Sequence, residues 1–228
     1  MKLSVIIPCY NEKNTIETIV DAVKASPKKD LEIIVVDDYS TDGTRDILKS
    51  VISKKVDKII YHEKNMGKGA ALRTGFNAAT GDIIIIQDAD LEYNPADYKP
   101  LVELIKNDEA DVVYGSRLAD TRNQGKFLLL SYLANVTLSF MTRILYGTFL
   151  TDMETCYKAF RADFIKGITI ESNRFDFEPE ITAKILKKNA RFKEIPISYK
   201  ARQESEGKKI TWKDGVQAIF TLLKYRFK

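Results

Sequence analysis

The sequence predicts an α/β fold: a mostly parallel, doubly wound sheet with amphipathic helices at its periphery. Short runs rich in β-branched residues alternate with segments of helical apolar spacing along the first half of the chain. The run Ile83–Ile86 is wholly apolar, which is typical of a central strand covered on both faces of a parallel sheet. Alternation of this kind indicates βαβ crossovers, and 228 residues allow one sizeable core.

The individual elements follow from local signals. Runs of β-branched and other apolar residues predict strands at 3–7, 31–36, 58–61, 82–87 and 112–114. Apolar residues at helical spacing predict helices at 14–25, 42–53, 68–79 and 95–107. Pro8 stops the first strand, and Asp42 or Thr44 is the expected cap of the second helix.

Two later segments are amphipathic. Segment 127–150 is strongly apolar, but polar residues interrupt it and Arg143 lies near its centre, which argues against a membrane-spanning helix. It favours a pair of helices that lie on a membrane or cover the active site; an ordinary core helix is the alternative. Segment 212–228 mixes apolar and basic residues, as in membrane-surface helices and also in helices with one solvated face.

Composition excludes several classes of protein. The 36 basic and 32 acidic residues give a net charge of +4, which does not suggest nucleic-acid binding. Cys9 and Cys156 are far apart and form no C-x-x-C pair, which favours a reduced, intracellular protein without a disulfide framework or zinc site. The apolar run at the N-terminus is too short for a signal peptide.

The most informative motif is Asp88-Ala89-Asp90, directly after the isoleucine run, with Glu92 two residues further on. Ligand sites in parallel sheets lie at the carboxyl ends of the strands. Several carboxylates at one such point repel one another unless a cation lies between them. Hard oxygen ligands suit Mg²⁺ or Mn²⁺, which usually also hold substrate phosphates. The motif therefore predicts a metal-bridged diphosphate, with a solvated acidic loop as the alternative.

Polar clusters also follow the other predicted strands. In segment 8–12, Tyr10 can stack on a base and Glu12 can accept hydrogen bonds from ribose hydroxyls. Segment 37–44 offers carboxylates that can accept from a base N–H, and segment 115–117 supplies Arg117. All of these clusters are expected at one edge of the sheet, and their convergence is a stronger indication of a site than any single motif.

With these motifs in order, the chain resembles the inverting family-two glycosyltransferases of the GT-A fold. It is most similar to the dolichyl-phosphate-mannose synthase type, which makes polyprenyl-phosphate sugars. The resemblance covers essentially the whole chain and depends on segments 8–12, 37–44, 65–70, 88–90, 115–117 and 199–209. It implies a single domain, 1–228, in which 1–118 binds the nucleotide sugar and 119–228 faces the acceptor and the membrane.

The resemblance also implies roles for individual residues. The nucleoside would be held by Pro8, Tyr10, Glu12, Val36 and Asp38, and the diphosphate with its metal by Asp88, Ala89, Asp90 and Glu92. Glu92 departs from the family, which often has Gln there, and this leaves the metal preference open. The resemblance implies that Arg117, Arg202 and Lys208 contact the donor diphosphate or the acceptor phosphate. Together with Asp90 and Asp152, these three are the implied catalytic residues. Many members also have C-terminal transmembrane helices, and residues 1–228 are not expected to contain a counterpart of them.

The implied reaction is a single in-line displacement at the anomeric carbon of the donor sugar. The acceptor is a lipid phosphate monoester, which is largely ionised at neutral pH because its second pKa is about 6, so no strong general base is required. GDP-mannose is the favoured donor, ahead of UDP-glucose and UDP-N-acetylhexosamine. The expected location is the cytoplasmic face of a membrane, bound peripherally, with a membrane-embedded protein as a possible partner. The alternatives are transfer to a glycan hydroxyl and a non-catalytic nucleotide-sugar-binding module.

Four residues in or near these motifs have expected roles of their own. Asp152 is expected to orient the acceptor or act as a base, or else to be a helix cap or a partner for Arg161. His62, the sole histidine, is expected to be structural and to lie away from the motif clusters. Lys68 follows Gly67 without the spacing of a phosphate-binding P-loop and is expected to face the diphosphate. Glu178 is expected only as an acidic residue in the first turn of a helix.

Overall fold

The computed structural model describes residues 1–120, 123, 129–201 and 212–228. Within them one sheet contains β1 (Leu3–Cys9), β2 (Leu31–Asp37), β3 (Lys58–Tyr61), β4 (Ile83–Ile86), β5 (Val112–Ser116), β6 (Lys158–Arg161) and β7 (Phe192–Pro196). The strand order is β3-β2-β1-β4-β6-β5-β7. Only the pairs that involve β6 are antiparallel. The predicted mostly parallel sheet is confirmed, and β6 and β7 are additions to it.

Helices pack against this sheet and against one another. They are α1 (Ile16–Lys24), α2 (Thr44–Ser50), α3 (Lys68–Ala78), α4 (Tyr98–Lys106), α5 (Leu129–Tyr146), α6 (Ala162–Lys166), α7 (Phe177–Lys187) and α8 (Trp212–Phe227). The second helix begins at Thr44 with Gly43 as its N-cap, so the predicted cap at Asp42 or Thr44 is wrong. Asp42 lies just before the helix and accepts a hydrogen bond from the Thr44 amide at 3.0 Å.

The prediction of a helix pair in segment 127–150 is wrong, since α5 is one continuous helix. Asn135, Leu138 and Thr142 are all buried. Their spacing of three and four residues places them on one helical face. No helix in the described part of the chain combines the length and the apolar character that crossing a bilayer requires.

The centre of the core lies between β1 and its two neighbours. Val5 pairs with Ile33 on one side and Ile85 on the other, and all four isoleucines of β4 are fully buried. Helix α3 approaches this sheet closely because Gly75 faces Ile6, whose side chain would collide with a Cβ there. The tight contact fixes where α3 begins, which matters because that end lies at the candidate site.

The topology brings the ends of several strands together. β1, β2 and β4 run in the same direction, and β5 joins them because it is antiparallel to β6, which is antiparallel to β4. Residues that follow these strands therefore share one edge of the sheet. Because β6 runs the opposite way, residues 151–157 before it reach the same edge.

Glu32 gives this fold a pH-dependent contribution to stability at the opposite edge. Its carboxylate accepts hydrogen bonds from Ser4 Oγ at 2.5 Å and from the Thr80 amide at 2.7 Å. Burial alone would raise its pKa, but these hydrogen bonds, with help from Lys2, lower the pKa to about 2. Because the pKa is lower in the folded state, ionised Glu32 stabilises the protein when the pH is above its unfolded-state pKa of about 4.5. This stabilisation is lost as the pH falls towards 2.

Glu32→Gln is therefore expected to reduce the free energy of unfolding at pH 7 by about 3 kcal/mol, at 1.4 kcal/mol per pKa unit. The variant should also lose less stability than the wild type between pH 5 and pH 2. Urea unfolding across this range measures both effects. Parallel pH profiles for the two proteins would contradict the assignment.

Candidate functional site

Hydrogen bonds connect the loops after β1 and β2, at the edge of the sheet where β1, β2, β4 and β5 end. The Asp38 amide donates to the Cys9 carbonyl at 2.8 Å, and the Asn11 amide donates to Ser40 Oγ at 2.9 Å. Tyr10 emerges between these contacts with 36% of its surface exposed. The geometry leaves an aromatic face at the rim, as stacking on a base requires.

Asp38 also accepts hydrogen bonds from the loop that leads into α3. Its carboxylate accepts from the amides of Met66 at 2.8 Å and Gly67 at 2.7 Å. His62 Nδ1 lies 2.8 Å from the same carboxylate, and His62 Nε2 lies 3.0 Å from Thr74 Oγ1. The expectation that His62 lies away from the motif clusters is wrong, because β3 pairs with β2 and its end is carried to this edge.

The remaining predicted nucleoside residues differ in what they can offer. Pro8 and Val36 are register partners in β1 and β2. Val36 is fully buried, so only its backbone could reach a ligand. The Glu12 amide donates to Thr44 Oγ1 at 2.9 Å, and its carboxylate accepts from Thr15 Oγ1 at 2.8 Å. Glu12 is thus oriented by its neighbours, and the nucleoside roles stay predictions.

Lys68 connects the start of α3 to the carboxylate after β4. Its Nζ lies 2.9 Å from Asp88 and 3.4 Å from Glu178 Oε1. Gly67 precedes it with φ +98°, and a Cβ at Gly67 would collide with the Asn173 carbonyl. Glycine is required here for both conformation and space, and it places Lys68 beside Asp88.

Charge pairing keeps this part of the site ionised. Burial would raise the pKa of Asp88, but the charge and hydrogen bond of Lys68, together with the Cys156 hydrogen bond and the charge of Lys158, lower that pKa. Burial would lower the pKa of Lys68, and Asp88 and Glu178 outweigh it and raise that pKa. Cys156 Sγ accepts from the Asp88 amide at 3.2 Å. Burial raises the pKa of this thiol well above its usual value, so it is neutral.

Asp90 and Glu92 lie on the turn that follows. Leu91 has φ +63°, and the Glu92 amide donates to Asp90 Oδ1 at 3.2 Å. The described residues contain no cluster of three or more side chains arranged to hold a metal by themselves. Mg²⁺ usually binds one or two carboxylates and completes its shell with substrate phosphates and water. One or two of the carboxylates of Asp88, Asp90 and Glu92 could serve in that mode.

Arg117 and Asp152 form a fully engaged ion pair. The Arg117 amide and Nε both donate to Asp152 Oδ2 at 2.8 Å, and its Nη2 donates to Oδ1 at 2.8 Å. Asn135 adds a further hydrogen bond to the same carboxylate. Arg161 instead pairs with Asp111 at 2.6 Å, so the expected Arg161 partnership of Asp152 is wrong. Burial would raise the pKa of Asp152, and Arg117 outweighs it and lowers that pKa.

A continuous row of contacts links this pair to Asp88. The Arg117 guanidinium lies 5.2 Å from the centre of the Tyr199 ring, which packs edge-on against Tyr93 at 5.6 Å. The Tyr93 hydroxyl accepts from the Cys156 amide at 3.0 Å, and Cys156 in turn contacts Asp88. The predicted diphosphate residue and the predicted phosphate-binding arginine therefore belong to one cluster.

No role was predicted for a buried lysine that lies beneath this cluster. Lys158 in β6 is fully buried, and its Nζ donates to Glu178 and to the carbonyls of Met153 and Thr155. Glu178 does lie in the first turn of α7, as predicted. Its main contact is this buried ion pair. The signal that could have revealed it is the lysine itself, since a buried ammonium needs a carboxylate partner.

Three polar atoms near Lys158 have no hydrogen-bond partner in the described structure. They are Glu154 Oε1, Thr155 Oγ1 and Glu178 Oε1. Burial, and the neighbouring charge of Glu178, raise the pKa of Glu154 to about 7. The described fold leaves Glu154 Oε1 and Thr155 Oγ1 unsatisfied, whereas Glu178 Oε1 keeps a charge contact with Lys68 at 3.4 Å.

Two predicted catalytic residues, Arg202 and Lys208, lie outside the described residues. Ala89 is buried. Because its side chain is a methyl group, only its backbone could make a polar contact with a ligand. Of the predicted site residues, the structure brings Asp88, Asp90, Glu92, Arg117 and Asp152 to one edge of the sheet. Their individual roles stay predictions.

Comparison with known proteins bears on this arrangement. The model of the family described as "Glycosyl transferase family 2" matches residues 4–168. A dolichol-phosphate mannosyltransferase of Pyrococcus furiosus is 30% identical over 99% of this chain, which spans 64% of that protein's length. An undecaprenyl-phosphate mannosyltransferase of Micrococcus luteus is 29% identical over 91% of this chain and 87% of its own.

A solved structure is also similar. Glucosyl-3-phosphoglycerate synthase of Mycobacterium tuberculosis, in complex with Mn²⁺, UDP and glucosyl-3-phosphoglycerate, superposes with a TM-score of 0.76. The match covers 99% of this chain and 80% of that one at 19% identity. This likeness confirms the predicted GT-A fold.

Proposed function

Because the chain belongs to glycosyl transferase family 2, as its motifs predict, we propose that it moves a hexose from a nucleotide sugar to a polyprenyl phosphate. The observation that carries the proposal is the single cluster that joins Asp88 to Arg117. Carboxylates suited to a metal-bound diphosphate lie beside a fixed guanidinium suited to a phosphate. Relatives named for transfer to dolichol phosphate and undecaprenyl phosphate support the same acceptor class.

The donor half of the site would hold the diphosphate through a divalent cation. Asp88, Asp90 and Glu92 are the candidate ligands for Mg²⁺ or Mn²⁺, and structures of the Mycobacterium tuberculosis glucosyl-3-phosphoglycerate synthase hold UDP with Mn²⁺ in one case and with Mg²⁺ in another. Bound there, the cation would withdraw charge from the departing nucleoside diphosphate. Lys68 adds a point charge beside Asp88, and this charge stabilises the same leaving group.

The acceptor half needs positioning more than it needs proton transfer. A phosphate monoester is already an anion at neutral pH, so the residues have to hold it in line with the anomeric carbon. Three hydrogen bonds to Asp152 fix the orientation of Arg117, so its positive charge is preorganised for an acceptor phosphate. Asp152 itself is a poor general base, since its pKa is lowered and both oxygens are engaged.

An exposed apolar surface on α5 and α8 supports a lipid acceptor. The two helices pack together, with the Tyr146 hydroxyl donating to the Leu222 carbonyl at 2.7 Å. Large apolar side chains stay exposed on both helices and just beyond α5: Tyr132, Leu133, Val136, Phe140, Ile144, Phe149, Val216, Phe220 and Phe227. Arg143, Lys224 and Arg226 lie among them, as expected for an anionic membrane surface such as a cytoplasmic leaflet. In a vesicle sedimentation assay, the protein is therefore expected to bind anionic vesicles more than neutral ones. Equal binding to both would contradict this electrostatic role.

The test is a transfer assay with matched acceptors. The protein is incubated with Mg²⁺, a short-chain polyprenyl phosphate, and GDP-mannose, UDP-glucose or UDP-N-acetylglucosamine in turn. One of the donors, with GDP-mannose the first choice, is expected to yield a lipid-linked sugar that forms only while Mg²⁺ is present. The matched control is the polyprenol without its phosphate, which should give no product because a hydroxyl needs a general base.

Other outcomes separate the alternatives. Product on a glycan alcohol but not on the lipid phosphate would favour transfer to a hydroxyl. Tight donor binding without product on either acceptor would favour a binding module. Either result would contradict the proposed function.

A further inference from the structure

Several buried polar atoms at the site lack hydrogen-bond partners, and neither a bound metal ion nor Arg117 accounts for them. Thr155 is fully buried and Glu178 is 4% exposed, yet Thr155 Oγ1 and Glu178 Oε1 have no hydrogen-bond partner in the described part of the chain. Glu154 Oε1, next in sequence, is also buried and unsatisfied. Buried polar atoms are nearly always hydrogen-bonded, and each exception costs about 1–3 kcal/mol. Two such atoms, next to a Glu178 oxygen that is held only by a charge contact with Lys68 at 3.4 Å, indicate a place that a ligand completes.

The position of these atoms identifies the part of the donor they would meet. Glu178 Oε1 lies 3.4 Å from Lys68 Nζ, which in turn lies 2.9 Å from Asp88. The unsatisfied atoms thus adjoin the residues proposed to face the diphosphate. In a nucleotide sugar, the sugar is bonded directly to the distal phosphate, so a group next to the phosphate site meets the sugar.

The chemistry of these atoms restricts which sugars fit. Glu178 Oε1 is an acceptor, Glu154 Oε1 is an acceptor whenever its carboxyl group is ionised, and Thr155 Oγ1 can donate only one proton. Lys158, the cation beneath them, already uses all three protons on Glu178 and the Met153 and Thr155 carbonyls. Sugar hydroxyls supply the missing donors. A sugar carboxylate supplies none and would meet the carboxyl group that Glu178 contributes to its ion pair with Lys158.

We propose that Glu154, Thr155 and Glu178 form the sugar subsite and select a donor whose sugar carries only hydroxyl groups there over the corresponding uronic acid. This inference rests on the proposed function and deepens it. It assigns sugar selection to residues outside the metal motif. It predicts that their isosteric variants affect sugar binding while nucleotide binding is kept.

The experiment compares ligands with and without the sugar by calorimetry in Mg²⁺. Thr155→Val and Glu154→Gln are expected to bind GDP and UDP within twofold of the wild type. Each should bind the accepted sugar nucleotide, GDP-mannose or UDP-glucose, about 5- to 20-fold more weakly. Thr142→Val, another buried threonine, on α5 and outside the cluster, is the matched control and should leave both affinities unchanged. Melting temperatures show whether the variants fold.

Charge selection is tested with uronic acid pairs. The wild type should bind UDP-glucuronate at least tenfold more weakly than UDP-glucose, or GDP-mannuronate more weakly than GDP-mannose, in whichever nucleotide series it accepts. Glu154→Gln introduces an N–H donor and should narrow that difference. Equal losses for sugar-free and sugar-bearing ligands, or equal affinity for hexose and uronate, would overturn the subsite while nucleotide binding stands. A wild type that binds no nucleotide would overturn the proposed function and the subsite together.

Discussion

Asp90→Asn is expected to abolish metal-dependent transfer while the fold persists. The substitution keeps the shape of the side chain and an oxygen that can still accept the Glu92 amide, which donates to Asp90 at 3.2 Å. It removes the negative charge that would help to hold a divalent cation on the donor diphosphate. Losing one preorganised charge-stabilising group typically lowers turnover by about 10²- to 10³-fold, and the same order is expected here.

The measurement is turnover at rising Mg²⁺ concentration, together with thermal unfolding. Asp46→Asn is the matched control, because Asp46 is an exposed carboxylate on α2, away from β4. The control should keep wild-type turnover, and Asp90→Asn should keep the wild-type melting temperature. Unchanged turnover in Asp90→Asn at every metal concentration would remove the metal role from this residue.

The first five strands could be predicted because each carries its signal locally. A run such as Ile83–Ile86 has one reasonable place in an α/β protein, and the helices between such runs fix a parallel order. β6 and β7 lack that signal. β6 begins with Lys158, which is buried only because Glu178 reaches it from α7. β7 is half-buried at the end of the sheet, so its residues show no apolar run.

The location of the site was predictable for the same topological reason, whereas the pairing within it was not. Parallel strands end at one edge, so residues after them converge whatever their neighbours are. Which cation meets which carboxylate depends on tertiary packing: Asp152 pairs with Arg117, 35 residues away, instead of the nearer Arg161. His62 reaches Asp38 through strand pairing, which its own sequence context does not reveal.

Asp152→Ala is expected to lower the free energy of unfolding by about 3–5 kcal/mol, the usual cost of removing one partner from a buried ion pair. Asp152 is fully buried and accepts from Arg117 and Asn135. Its loss would leave a guanidinium without its counter-charge in a site where water is largely excluded. Urea unfolding measures the difference. The matched control is Glu103→Ala, which breaks an exposed pair with Lys99 at 3.9 Å and should cost less than about 0.5 kcal/mol.

A second substitution separates the charge of Asp152 from its shape. Asp152→Asn keeps an oxygen for Arg117 but loses the charge, so it should destabilise the protein less than Asp152→Ala and still weaken acceptor use. The lowered pKa of Asp152 fixes the sign of the pH effect. Its contribution is present above the unfolded value and is lost as the pH falls through the folded one, so wild type and Asp152→Asn should converge in stability at acid pH. If Asp152→Ala cost no more than Glu103→Ala, Arg117 would be held by other contacts, and the view of Asp152 as the residue that positions it would fail.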